Sequence, residues 1–223
     1  MKKTISLILC AVMLCSLVAL TGCVAPADAA LKFGSAVYVG APTAADATAD
    51  KDGSGSIDIT IAAVSVDADG KIVACALDTA SNAVAFKADG KAVAAAEFKT
   101  KYEQGKDYNM VTYGGAAKEW FEQADAFEAF VVGKTLAEIK ALVAEGNKGT
   151  ADVIGAGCTI MIHEFVGAIE KAFSNLADSA ATAESALKLG MNVEQSTADA
   201  TEEKDGSNQV ETTIFAAAVD AEG

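Results

Sequence analysis

Two glycines, a thiol and a hydroxyl run together at Gly155-Ala156-Gly157-Cys158-Thr159, ahead of an amphipathic stretch. Backbone N–H groups in such a turn can cradle a phosphate, helped by the dipole of a following helix. The same Gly-Ala-Gly also makes an ordinary tight turn before a helix. His163 opens that stretch with Glu164 beside it, and the chain has no second His. A surface His near a helix cap is the expectation, because Ser-His-Asp hydrolysis needs a nucleophile on a strained elbow and no Gly-x-Ser-x-Gly is present. Tyr102, Tyr108, Tyr113 and Trp120 lie close in sequence. They could stack on a flat ligand, or pack in the core as aromatics at such spacing usually do.

Charge and ligand counts narrow the chemistry. All 17 basic residues are Lys, against 31 Asp plus Glu, for a net charge of −14. Nucleic acid is excluded as an expected partner, since phosphate backbones call for cationic surface and Arg is the best reader of guanine. Asp50-Lys51-Asp52-Gly53-Ser54-Gly55-Ser56-Ile57-Asp58 copies nine positions of an EF-hand calcium loop. The twelfth position is Ile61 in place of the bidentate carboxylate, and strand-like residues follow. A polar loop feeding a strand explains the same residues, and no metal is expected. One His and no Cys-x-x-Cys leave too few ligands for a structural zinc site.

The chain opens with Lys2 and Lys3, then an apolar run from Ile5 to Leu20. That is the charged start and short apolar middle of a secretory signal, too short for a comfortable membrane span. Leu20-Thr21-Gly22-Cys23 resembles the bacterial lipobox, in which signal peptidase II cuts before a Cys already carrying diacylglycerol. The resemblance implies a lipoprotein signal peptide over 1–22, lipid attachment at Cys23, a tether over 23–30, and a protein anchored on the extracytoplasmic face of the cell membrane. Two or more acyl chains hold without a basic patch, at roughly 0.8 kcal/mol per buried CH₂. Cys10 and Cys15 leave with the signal, so Cys75 and Cys158 alone remain as thiols, bridged or free.

A long-period repeat organises the rest. Residues 51–70 realign without gaps on 204–223, with eleven of twenty positions identical. A Leu-Lys-x-Gly segment stands upstream of each copy, at Leu31–Gly34 and Leu187–Gly190, followed by an acidic Ala/Thr/Asp loop. A period of this length marks a duplicated domain rather than a solenoid. The first copy continues through Ile72–Leu77 whereas the second reaches Gly223, so the expectation is a piece of a tandem protein, with residues 187–223 a partial second repeat. The other reading has the last strand completing the first unit's sheet.

The β-branched run Ile57–Val66, the Asp69-Gly70 turn and Ile72–Leu77 predict a hairpin. Asn82–Lys87, the Asp89-Gly90 turn and Lys91–Phe98 predict another, whose Ala-rich second arm could instead be helical. Helical spacing then places Trp120, Ala124, Phe127 and Val131 on one face, ending at Gly133. Leu136, Ile139, Leu142 and Val143 predict a second helix closed by Gly146. Phe165, Val166, Ile169, Ala172, Phe173 and Leu176 give the third and clearest stripe. The class is α+β: an antiparallel sheet of hairpins packed against about three amphipathic helices.

The order strand, Asp-Gly turn, Ile-rich strand, Gly157-Cys158-Thr159-Ile160 and amphipathic helix resembles the FMN-binding domain of flavinylated exported lipoproteins and respiratory flavin subunits. In that family Asp-x-x-Ser/Thr-Gly-Ala-Thr/Ser introduces the helix, and a flavin transferase esterifies the final hydroxyl with FMN through its phosphate. Gly157 and Thr159 fall on the motif's Gly and acceptor, with Cys158 in place of its Ala. Ala156 stands where Ser or Thr is expected and Val153 where Asp is expected, with Asp152 one place early. Gly115–Gln123 and Val132–Thr135 are also similar to clostridial-type surface lipoproteins built on this domain and often duplicated. The resemblance implies an FMN-binding-like domain over 31–180, covalent FMN at Thr159, and a flavin transferase and redox partner. It points to an electron-transfer or binding protein rather than a turnover enzyme. The alternative is a non-enzymatic surface lipoprotein that binds a small ligand or a protein partner with no flavin.

Overall fold

A computed structural model describes residues 29–95 and 97–220. The signal segment 1–22, Cys23, most of the 23–30 tether and residues 221–223 lie outside the described residues. In chain order the elements are β1 (Lys32–Val39), β2 (Thr43–Ala45), β3 (Gly53–Val66), β4 (Ile72–Phe86), β5 (Ala92–Val93) and α1 (Lys101–Gln104). They continue with α2 (Trp120–Val131), α3 (Leu136–Lys140), α4 (Ala151–Ala156), α5 (His163–Ser174), β6 (Ala177–Asp178), β7 (Ala186–Ala198) and β8 (Ser207–Val219). The class is α+β, as the sequence predicts. No helix among the described residues is long and apolar enough to cross a membrane.

The main sheet is antiparallel in the order β5-β4-β3-β1-β6, with β2 also on β3. The β3–β4 hairpin turns where expected: Gly70 takes φ +77°, and the Asp67 carboxylate accepts from the N–H groups of Asp69 and Lys71. β4 runs on for fifteen residues, which corrects the reading of two separate strands at Ile72–Leu77 and Asn82–Lys87. The polar step between them stays in the sheet because its groups are satisfied there. Thr79 bonds Thr60 across the strands, and the Asp78 carboxylate accepts from the N–H of Tyr102. The second hairpin shrinks to Ala92–Val93 on one arm. The second helix likewise stops at Lys140, closed by Ala141.

Strand alternation gives the sheet two different faces. Ala62, Val64 and Leu77 pack with Phe127 and Val131 of α2 and Phe165 and Ile169 of α5 into the core. α5 lies close on β1: a Cβ at Gly34 would strike the Ala172 carbonyl, and one at Gly167 would strike the Tyr38 ring.

The opposite face carries Ile57, Ile59, Ile61 and Ala63, and the β7–β8 hairpin lies across it as its own two-stranded sheet. The sequence repeat is thus a structural one. Thr48 N–H bonds the Lys51 carbonyl at 2.8 Å, and their counterparts Thr201 and Lys204 repeat that bond at 2.8 Å. Gly53 and Gly206 each crowd the chain at matching places: added Cβ atoms would lie 2.7 Å from Ala47 N and 3.0 Å from Ala200 N. The pairing shifts by two residues, from Lys32↔Val66 to Lys188↔Ala217, which keeps every side chain on its face. Val210 and Thr212, the counterparts of Ile57 and Ile59, meet those same residues across the layer boundary, and Asn82 Nδ2 bonds Thr212 Oγ1 at 2.8 Å. β8 therefore does not join the first sheet's ladder.

Candidate functional site

A cleft of about 490 Å³ opens where β3, β4, α1 and the first turns of α2 and α5 converge. Trp120, Phe165, Met110, Ile160 and Met161 form its apolar wall. Thr159, Lys101, Lys148, Asp58, His163 and Glu164 supply its polar lining. Trp120 opens α2 behind the reciprocal cap of Glu119 and Glu122, and sits edge-on to both Phe165 and Tyr102.

The segment before α5 differs from the sequence reading. Ala151–Ala156 forms α4, so Gly155 and Ala156 end one helix rather than introduce the next. Gly157 caps α4 in the left-handed conformation at φ +110°, its N–H bonded to the Ile154 carbonyl. α5 begins only at His163, and no side chain caps it. The boundary was hidden because Gly157 serves equally as a stop or as a start. Cys158 is fully buried in the core, where burial pushes its thiol up to about 11. Thr159 emerges exposed at the cleft.

Gln123 fixes that emergence. The residue is 1% exposed, and its Oε1 accepts from both the N–H and the hydroxyl of Thr159, each at 2.9 Å. Its Nε2 donates to the Lys118 carbonyl at 3.0 Å and to Met110 Sδ at 3.4 Å. Gly157 has no side chain where the Lys118 ammonium lies, and a Cβ there would collide with it. Sequence reasoning missed Gln123, whose one signal was a polar residue inside the buried stripe of α2.

Lys101 is the second residue it missed. Its side chain is only 11% exposed, with Nζ 3.6 Å from Asp58 Oδ2, 5.4 Å from the Tyr108 ring centroid and 5.9 Å from that of Trp120. Of the four aromatics singled out, Tyr108 and Trp120 line the cleft, Tyr102 packs behind Trp120, and Tyr113 is 85% exposed elsewhere. His163 lies on the cleft wall, half-buried, 4.0 Å from Glu164, with a buried Nδ1 that has no hydrogen-bond partner. The calcium-like stretch is the β2–β3 turn and the start of β3, and its Asp58 pairs with Lys101. Among the described residues no group of three or more His, Cys, Asp or Glu could hold a metal ion.

A second group of titratable residues lies where β7 crosses β4. Burial raises the Glu128 carboxyl to about 8 and the Asp78 carboxyl to about 6, although Leu77 N–H and Thr79 N–H respectively donate to them. Burial, together with the nearby Glu128 charge, also raises the Cys75 thiol. Cys75 and Cys158 are both free thiols. Compared with protein-family models, with curated proteins and with solved structures, the chain finds no match.

Proposed function

We propose that this chain is an extracytoplasmic lipoprotein, held at the cell membrane through acylated Cys23, with an FMN-binding-domain-like fold whose cleft carries flavin as an electron carrier. One observation carries the reading: Thr159, the residue that the motif singles out, lines a cleft with an aromatic wall and a cationic rim. The size suits a ligand of this class, since such sites are mostly apolar hollows of about 300–1,000 Å³ with a few placed polar groups. Trp120 and Tyr108 give the wall aromatic character beside the Lys101 ammonium. Lys148 and Lys101 at the cleft, with Lys118 against Gly157, offer local positive charge to a phosphate in an otherwise acidic protein.

FMN, when bound, supplies redox chemistry that no side chain here provides. The chain's own residues hold and orient. Gln123 takes the Thr159 hydroxyl proton in a hydrogen bond, which leaves the oxygen lone pairs free to react. Cys158 roots the loop in the core one residue earlier. Lys101 is already paired with Asp58, so the cleft suits a phosphodiester with one negative charge better than a free phosphate dianion. Covalent attachment meets that condition.

The reading without flavin, a surface lipoprotein binding a small ligand or protein partner, draws on the Lys101–Asp58 pair and on Ala156 and Val153 in the motif. Co-expression of residues 24–223 with a flavin transferase, with FAD and magnesium supplied, separates the two. The expected result is a yellow protein that keeps its colour after denaturation and a colourless Thr159→Ala. A colourless wild type assigns the alternative.

A further inference from the structure

Most polar groups of the cleft are committed to one another. Lys101 is paired with Asp58, and the Thr159 hydroxyl is held by Gln123. Glu164 Oε2 accepts from Thr60 Oγ1 at 3.2 Å, and that hydroxyl meets Thr79 Oγ1 at 3.0 Å, where both threonines are buried.

His163 is different. Its Nδ1 is buried with no hydrogen-bond partner among the described residues, and its Nε2 stands 4.0 Å from Glu164 Oε1, outside hydrogen-bond range. Packing fixes the ring, which opens α5 and lies edge-on to Tyr38 with centroids 6.4 Å apart. Buried polar atoms are nearly always hydrogen-bonded, so an unspent nitrogen at a cleft wall calls for a role. Imidazole is also the side chain that exchanges protons near neutral pH, and this one is the only one in the chain. The charges around it are balanced. Glu164 on its own helix and Asp58 of β3 are acidic, Lys101 of α1 and Lys148 are basic, and Lys171 lies over the Tyr38 ring, 5.4 Å from its centroid. A new charge in the cleft then sets whether the imidazole holds a second proton.

We infer that His163 is the counter-charge of the reduced cofactor: on two-electron reduction of the flavin proposed above, the imidazole takes a proton from solvent and pairs with the negative charge that appears beside it. The inference rests on the flavin reading. Two electrons come from the redox partner. One proton goes to the flavin ring system, leaving it singly negative, and a second goes to His163, which becomes imidazolium. Oxidation by an electron acceptor returns both protons to water. The His163 side chain is 30% exposed, so solvent reaches it.

Residues 24–223, flavinylated by co-expression with a flavin transferase, test this in two ways. Resonances of the sole imidazole, titrated in oxidised and in dithionite-reduced protein, should show a midpoint at least about one pH unit higher after reduction, a tenfold gain in proton affinity. The potential is then followed against pH. Between those two midpoints wild type takes up two protons per electron pair and His163→Gln one, so the wild-type potential should fall about twice as steeply. The wild-type titration decides even where the variant fails to fold. A midpoint unmoved by reduction, or superimposable potential profiles, would overturn the inference and leave the flavin reading standing. A chain that acquires no flavin would end that reading and the inference with it.

Discussion

The first hairpin and its copy share half their residues and the same turn, and they end in opposite circumstances. In the first, β3 is sandwiched: helices cover Ala62 and Val64, and the copy covers Ile61 and Ala63, all at 1% exposure or less. In the second, β8 alternates half-buried with exposed residues and has no fully buried position. The difference lies in what is laid on the outer face. Over β3 and β4 it is α2 and α5, and these two helices bring Trp120, His163 and Phe165 to the sheet and create the cleft. Over β8 no such layer lies among the described residues, and Glu211 and Thr213, the counterparts of Asp58 and Thr60, are exposed. The strand sequence makes a platform in both places; the site belongs to the helices.

Paired substitutions sharpen that contrast, beginning with the largest effect. Ile61→Ala should cost about 2–4 kcal/mol, the range for a large aliphatic side chain deleted from a close-packed core. Ile214→Ala, at the same place in the copy, should cost under half as much, because its site is half-buried and open to solvent. Denaturant melts of both variants decide this, and equal losses would remove the contrast.

The junction between the copies should respond to pH. A carboxyl whose folded pKa is raised contributes stability that is present below its unfolded value and lost as pH climbs to the folded one. For Glu128, with its folded value about 8, the loss runs from roughly pH 4.5 to 8, and Asp78 adds a smaller loss ending at about 6. Glu128→Gln retains an acceptor for Leu77 N–H. It should raise Tm at pH 8.5 by on the order of 5 °C and change it little at pH 4.5. A parallel rise at both pH values would contradict the assignment.

The turns should differ by less. Gly53→Ala places a Cβ 2.7 Å from backbone and should cost about 1–3 kcal/mol, whereas Gly206→Ala, at 3.0 Å, should cost the lower end of that range. Smallest of all, Phe215→Ser should move stability by under about 0.5 kcal/mol, as exposed positions usually do. A large loss there would mean that the outer face of β8 is already covered.

Much of the framework was legible because local rules and tertiary demands agree. The Asp69-Gly70 turn, the α2 and α5 stripes and the repeat all carry their signals within short windows. Asp78 and Thr79 misled because their partners, Thr60, Tyr102 and Thr100, are distant in sequence and make polar residues acceptable inside a strand. α1 and α4 are too short for a periodicity to register. Thr159 was found through a motif, yet its position depends on Gln123, thirty-six residues away, and on a helix end that Gly157 marks only in three dimensions. Lys101 gives no local hint that it lies among Asp58, Tyr108 and Trp120.

The central claim is that the covered copy makes a flavin cleft with Thr159 as its point of attachment. Peptide mass mapping of residues 24–223 after co-expression with a flavin transferase tests it most directly. The account predicts the added mass of one FMN on the peptide that contains Thr159 and on no other. Unmodified protein, or the added mass on a different hydroxyl, would contradict it.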